Sequence, residues 1–108
     1  MAEFNGPDPI LEWRRRIDDL DLDLVRALNE RARCAIEIGK IKRRRSMAIY
    51  DPAREEQIID MMLRHNSGPL DNEGIRRLFE RIIDESRRIE RITAEKSQSS
   101  DAASNTEE

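Results

Sequence analysis

Residues 10–45 read ILEWRRRIDDLDLDLVRALNERARCAIEIGKIKRRR, and this stretch decides the fold. It holds no proline and a single glycine, Gly39, and its apolar side chains return every three or four positions. That period marks one long amphipathic α-helix. On a heptad, one inner position holds Ile10, Ile17, Leu24, Arg31 and Ile38; the other holds Trp13, Leu20, Ala27, Cys34 and Ile41. Arg31 alone interrupts the stripe. A buried guanidinium costs several kcal/mol unless an anion meets it.

Working outward, Asp8-Pro9 is a good helix start, with Asp8 as N-cap and Pro9 where its missing N–H costs nothing. A helix from about 9 to 45 is roughly 55 Å long at the standard rise, too long for two short helices of one protomer to cover. A second Asp-Pro pair at Asp51-Pro52 predicts a second helix over about 51–65, after a loop at 46–50. His65-Asn66-Ser67-Gly68-Pro69 is a break. Asp71 caps a third helix over about 71–95, with Leu70 and Ile75 spaced as a hydrophobic staple and a stripe of Ile75, Leu78, Phe79, Ile82 and Ile83. Residues 1–8 are expected to be flexible. The polar run 96–108, without a core residue, is expected to be a disordered tail. The domain proper is thus 9–95, all-α and built from three helices.

At 108 residues, with 40% charged and 4% aromatic side chains, the chain is near the lower limit for a self-sufficient core. The helices are therefore expected to bury their stripes against a second copy, as an intertwined homodimer. Charges of both signs are interleaved and the net charge is −3, which leaves no field to attract nucleic acid. No apolar run approaches the roughly 20 residues of a membrane span. The start shows no apolar signal core, so a cytoplasmic location is expected. The lone cysteine, Cys34, is on the apolar stripe and is expected to be a small core residue.

Polar groups interrupt the inward faces at definite places. Arg31 and Lys42 are eleven residues apart, about three turns, so they point the same way, about 16 Å apart along the axis. Two long cationic side chains can close that gap around a small anion. Arg14 is about 260° around the helix from Arg31 and cannot readily share its site within one chain, but in a crossed dimer it can reach the partner's. Arg54 adds a cation beside Asp51 and Glu55 on the second helix, and Ser86 and Glu90 extend the third helix's stripe. Each has a plainer reading. Arg14 and Lys42 suit a solvated face and a helix end, Arg54-Glu55 a weak surface pair, and Ser86 a bond back to its preceding turn. Arg31 can likewise pair with the partner subunit's Asp21 or the partner subunit's Glu37.

Taken together and in order, these residues resemble a known family. The run carried by Arg14, Ile17, Leu20 and Asp21, then Leu28 and Arg31, Gly39, Lys40 and Lys42, Asp51, Arg54 and Glu55, and lastly Ile82, Ile83, Ser86 and Glu90 is similar to the all-helical class of chorismate mutases. It covers about residues 10–92. The resemblance implies rearrangement of chorismate, a small dianion, to prephenate. That step needs no nucleophile, metal or cofactor.

It also implies roles. Arg31, with Arg14 of the partner subunit, would bind the substrate's carboxylates, a task suited to the guanidinium fork. Lys42 would donate to the breaking ether oxygen, with Glu90 on its other side. Arg54 would help fix a carboxylate, with Ser86 nearby. Asp51 and Glu55 would engage the ring hydroxyl and the second helix's N-terminus, and Ile38 and Ile58 would form an apolar wall. Glu90 matches fungal members, where bacterial ones often carry glutamine. The loop at 47–50 matches no motif. An isochorismate pyruvate lyase of related fold and a non-catalytic helical dimer are the alternatives; the fuller Asp51-x-x-Arg54-Glu55 motif favours the mutase.

Overall fold

A computed structural model describes residue 6 and residues 8–106, with side chains through Gln98. The described residues form three α-helices: α1 (Pro9–Arg44), α2 (Pro52–His65) and α3 (Asn72–Thr106). The described residues fall into two compact units that divide between Glu30 and Arg31, within α1.

Each helix starts on an aspartate. Asp8 Oδ1 accepts from Ile10 N–H at 2.9 Å, Asp51 Oδ1 from Arg54 N–H at 3.1 Å, and Asp71 Oδ1 from Gly74 N–H at 2.7 Å. These bonds satisfy donors that have no partner inside the helix. α1 stops by a Schellman turn: Ser46 N–H donates to Arg43 O at 3.2 Å and Met47 N–H to Lys42 O at 2.8 Å. Ser46 takes the left-handed conformation this turn requires, with φ 55°. Between α2 and α3, the Asn66 amide donates to Leu70 O and to Asn72 Oδ1, both at 2.9 Å, and holds the break closed.

In the unit ending at Glu30, every described side chain is exposed, including the stripe residues Ile10, Trp13, Ile17, Leu20 and Leu24. In the unit from Arg31 onward, α2 packs on α3. Among the described residues there, Ala35, Ile59 and Ile83 are the buried apolar side chains, and Gly39 is buried with them. Two expectations change. Cys34 is exposed rather than packed in a core, because its position on α1 fronts an open cleft. Helical backbone also continues past the expected end near Glu95, through Thr106. Residues 96–106 contain neither glycine nor proline, so nothing in the backbone stops the helix. Of the two end segments expected to be flexible or disordered, residues 1–5, 7 and 107–108 are outside the described residues. No described helix is long and apolar enough to cross a membrane.

Candidate active site

The unit from Arg31 onward contains a cleft of about 390 Å³, within the usual range for a small-molecule site. α1 contributes Arg31, Cys34, Ala35, Ile38 and Lys42; the loop and its end give Ile49 and Asp51; α2 gives Arg54, Glu55 and Ile58; and α3 gives Ile83, Ser86, Arg87 and Glu90. Arg31, Lys42, Asp51, Arg54, Glu55, Ser86 and Glu90, singled out from the sequence, therefore meet in one place. Ile38 and Ile58 line the same cleft. Arg14 is in the other unit, with an exposed side chain.

Helical spacing explains the convergence. Arg31, Ala35, Ile38 and Lys42 follow three- and four-residue steps along one face of α1, and Ile83, Ser86, Arg87 and Glu90 do the same on α3. Arg31 Nη1 donates to Ser86 Oγ, and Ser86 donates on to Ile82 O at 3.0 Å. Ser86 thus bonds to its preceding turn and receives the arginine as well. Lys42 Nζ donates to the Ile49 carbonyl at 3.1 Å. Arg54 Nη1 donates along its own helix to Gln57 Oε1 at 2.8 Å, so its contact is with Gln57 rather than with Glu55.

Glu55 instead faces Arg87, a residue not singled out from the sequence, with Arg87 Nε 3.2 Å from Glu55 Oε2. The angle falls short of a hydrogen bond, which leaves the buried Nε–H without an acceptor although an opposite charge is adjacent. Arg87 reads as a surface residue because Arg88 follows it and Asp84 precedes it by one turn. Only its step from Ile83 and Glu90 marks it as inward.

Glu90 is the other unsatisfied group. Its Oε2 is buried without a hydrogen-bond partner. Burial pushes its pKa above the ordinary carboxylate value, and the nearby Lys42 ammonium partly opposes that. Gly39 makes room for it: a Cβ at that position would stand 3.3 Å from Glu90 Cγ and 3.5 Å from Oε2. A methyl there would press on the Cγ methylene and require it to shift by a few tenths of an ångström.

Four cationic side chains, Arg31, Lys42, Arg54 and Arg87, thus line the cleft against three carboxyls, Asp51, Glu55 and Glu90. The excess of donors suits a small anion, and the apolar floor of Ala35, Ile58 and Ile83 suits a compact carbon skeleton. Arg31 and Lys42 present N–H donors from the same helix face, so an anion between them meets both.

The chain is similar to known proteins along most of its length. The chorismate mutase type II family model matches residues 13–91. A bifunctional chorismate mutase/prephenate dehydratase from Pseudomonas aeruginosa is 37% identical over 81 residues, 70% of this chain, and the chain spans 22% of that protein's length. A chorismate mutase from Methanocaldococcus jannaschii is 27% identical over 95 residues, covering 84% of this chain and 93% of that one. Among solved structures, chorismate mutase (form II) from Thermus thermophilus superposes with TM-score 0.77 at 33% identity, over 78% of this chain and 96% of that one. The Helicobacter pylori chorismate mutase solved with prephenate superposes with TM-score 0.74 at 28% identity, over 82% and 97%. A match that reaches into all three helices and includes every cleft-lining residue leaves one assignment: the chain belongs to the chorismate mutase type II family.

Proposed function

We propose that this chain isomerises chorismate to prephenate, in the route to phenylalanine and tyrosine. The observation that carries the reading is the cleft in which Arg31, Lys42 and Arg54 surround a small apolar floor. The rearrangement is unimolecular: an ether C–O bond breaks as a C–C bond forms. The protein's contribution is to hold the compact reactive conformer and to stabilise charge developing on the ether oxygen. Arg31 holds a substrate carboxylate, with Ser86 steadying the guanidinium, and Arg54 assists. Lys42 turns from the Ile49 carbonyl to the ether oxygen. Glu90, whose pKa burial raises, donates to that oxygen from the other side in its protonated form. Glu55 engages the ring hydroxyl, and Asp51 holds the start of α2.

The working assembly is an intertwined, cytoplasmic homodimer of domain 9–95, in which Arg14 of the partner subunit completes each site. What supports this is the exposed stripe of α1, whose large apolar side chains are each worth about 1.5–3 kcal/mol if covered.

The test is to follow chorismate consumption and identify the product for wild type and Arg31→Ala side by side. Wild type is expected to form prephenate. Arg31→Ala, still folded and assembled, should lose about a thousandfold in kcat/KM, as for removal of a charge-assisted contact in a desolvated site. Pyruvate release from isochorismate without prephenate formation would overturn the mutase reading.

A further inference from the structure

Arg87 has no place in the motif that carries the family resemblance, yet it joins more elements of the site than any residue that does. Its Nε is 3.2 Å from Glu55 Oε2 on α2. Its guanidinium carbon stands 5.1 Å from the ring centroid of Tyr50, in the α1–α2 loop. Its Nη2 donates to Asp84 Oδ1 on α3 at 2.6 Å. With a carboxylate at each end, the charge is already matched, so Arg87 is not free to serve as a further ligand for a substrate carboxylate. What it can do is hold.

The loop needs holding. From Ser46 to Tyr50 its residues are exposed except Ile49, and Tyr50 itself is 59% exposed. Two functional groups flank Tyr50 in the chain: the Ile49 carbonyl, which accepts from Lys42 Nζ at 3.1 Å, and Asp51, which caps α2. Fixing the Tyr50 ring therefore fixes both. The stack is a cation–π contact, which restrains the ring without burying it.

We propose that Arg87 is a positioning residue. By facing Glu55 and stacking on Tyr50 it pins the Ser46–Asp51 loop beside the cleft, and through the Ile49 carbonyl it sets where the Lys42 ammonium waits. The catalytic consequence rests on the mutase reading above; the pinning of the loop does not.

Two measurements on the full-length chain separate them. One is amide hydrogen exchange over residues 46–51, for wild type, Arg87→Leu, Arg87→Lys, Tyr50→Leu and Tyr50→Phe. The other is kcat and KM for chorismate. Arg87→Leu and Tyr50→Leu should each speed loop exchange about tenfold, while α2 and α3 keep their protection. Arg87→Leu should lower kcat about tenfold, with KM moving less, because Lys42 is displaced from where charge develops. Arg87→Lys and Tyr50→Phe, which keep a cation and a ring face, should recover much of both effects. Unchanged loop exchange, or a rise spread evenly over all three helices, overturns the proposal; so does faster loop exchange with kcat untouched. If Arg87→Leu does not fold, Tyr50→Leu alone decides, since it alters only an exposed side chain. A wild type that leaves chorismate intact overturns the mutase reading, and loop exchange still decides the role of Arg87.

Discussion

The two parts of α1 carry the same apolar period and meet opposite fates. Up to Glu30, the stripe residues Ile10, Trp13, Ile17, Leu20 and Leu24 are exposed, each by more than half. From Arg31 onward, small residues, Ala35 and Gly39, are buried and the polar residues Arg31 and Lys42 reach into a cleft. Period reports that a helix has an inner face. It does not report what the face meets: Gly39 fronts Glu90 on α3, while the bulky stripe residues before Arg31 stay exposed.

The strongest way to break this comparison is to put a charge on the bulky part. Leu20→Glu should weaken self-association by about 4 kcal/mol, about a thousandfold in dissociation constant, as expected for an unpaired charge forced into an apolar interface. Sedimentation equilibrium over a concentration series reads this directly. The exposed Arg26, already paired with Asp23 at 3.1 Å, offers the contrast. Arg26→Glu should change association by no more than about 0.5 kcal/mol. Equal behaviour of the two variants would mean the stripe is only surface.

A second prediction addresses the small-residue part, where the half-buried Glu90 packs against Gly39. Its pKa is raised in the folded state, chiefly by burial. Between its unfolded and folded pKa values the native state binds more protons than the unfolded chain, so stability falls as pH rises through that window and is greatest below it. Glu90→Gln should remove this slope from a series of denaturant midpoints taken across pH. Activity should follow the same sign: wild-type turnover falls as Glu90 loses its proton, while the amide keeps donating and its pH–rate profile stays flat there. Identical profiles for the two proteins would show that the Glu90 proton takes no part.

The smallest effect is expected where α1 ends. Ser46 occupies a left-handed position that suits glycine. Ser46→Gly should stabilise the fold by about 0.5 kcal/mol, the relief of backbone strain being partly offset by a more flexible unfolded chain. Thermal unfolding measures it.

Much of this was legible in the sequence for identifiable reasons. The three helix starts are local events, an aspartate satisfying its own helix's first N–H groups, and local events show in local sequence. The meeting of Arg31, Lys42, Ser86 and Glu90 follows from helical spacing, with the family resemblance supplying which helices face each other. Arg87 was missed because its partners, Glu55 and Tyr50, are distant in sequence, while Asp84 and Arg88 beside it give the look of a solvated face. Cys34 was misplaced for a related reason: periodicity gives the same signal for a packed core and an open cleft. The end of α3 was set by composition, and a polar run without glycine or proline does not by itself stop a helix.

The contact between Gly39 and Glu90 also constrains how this site can change over generations. Exchanging the acid at 90 for its amide removes a titrating proton without altering shape, so that step is open at any time. A Cβ at 39 meets Glu90 Cγ at 3.3 Å, so that step requires the Glu90 side chain to shift by a few tenths of an ångström. The two steps thus differ in what they ask of the packing. A lineage can exchange one proton-donating chemistry for another at position 90 in a single move, while the glycine beneath it stays in place.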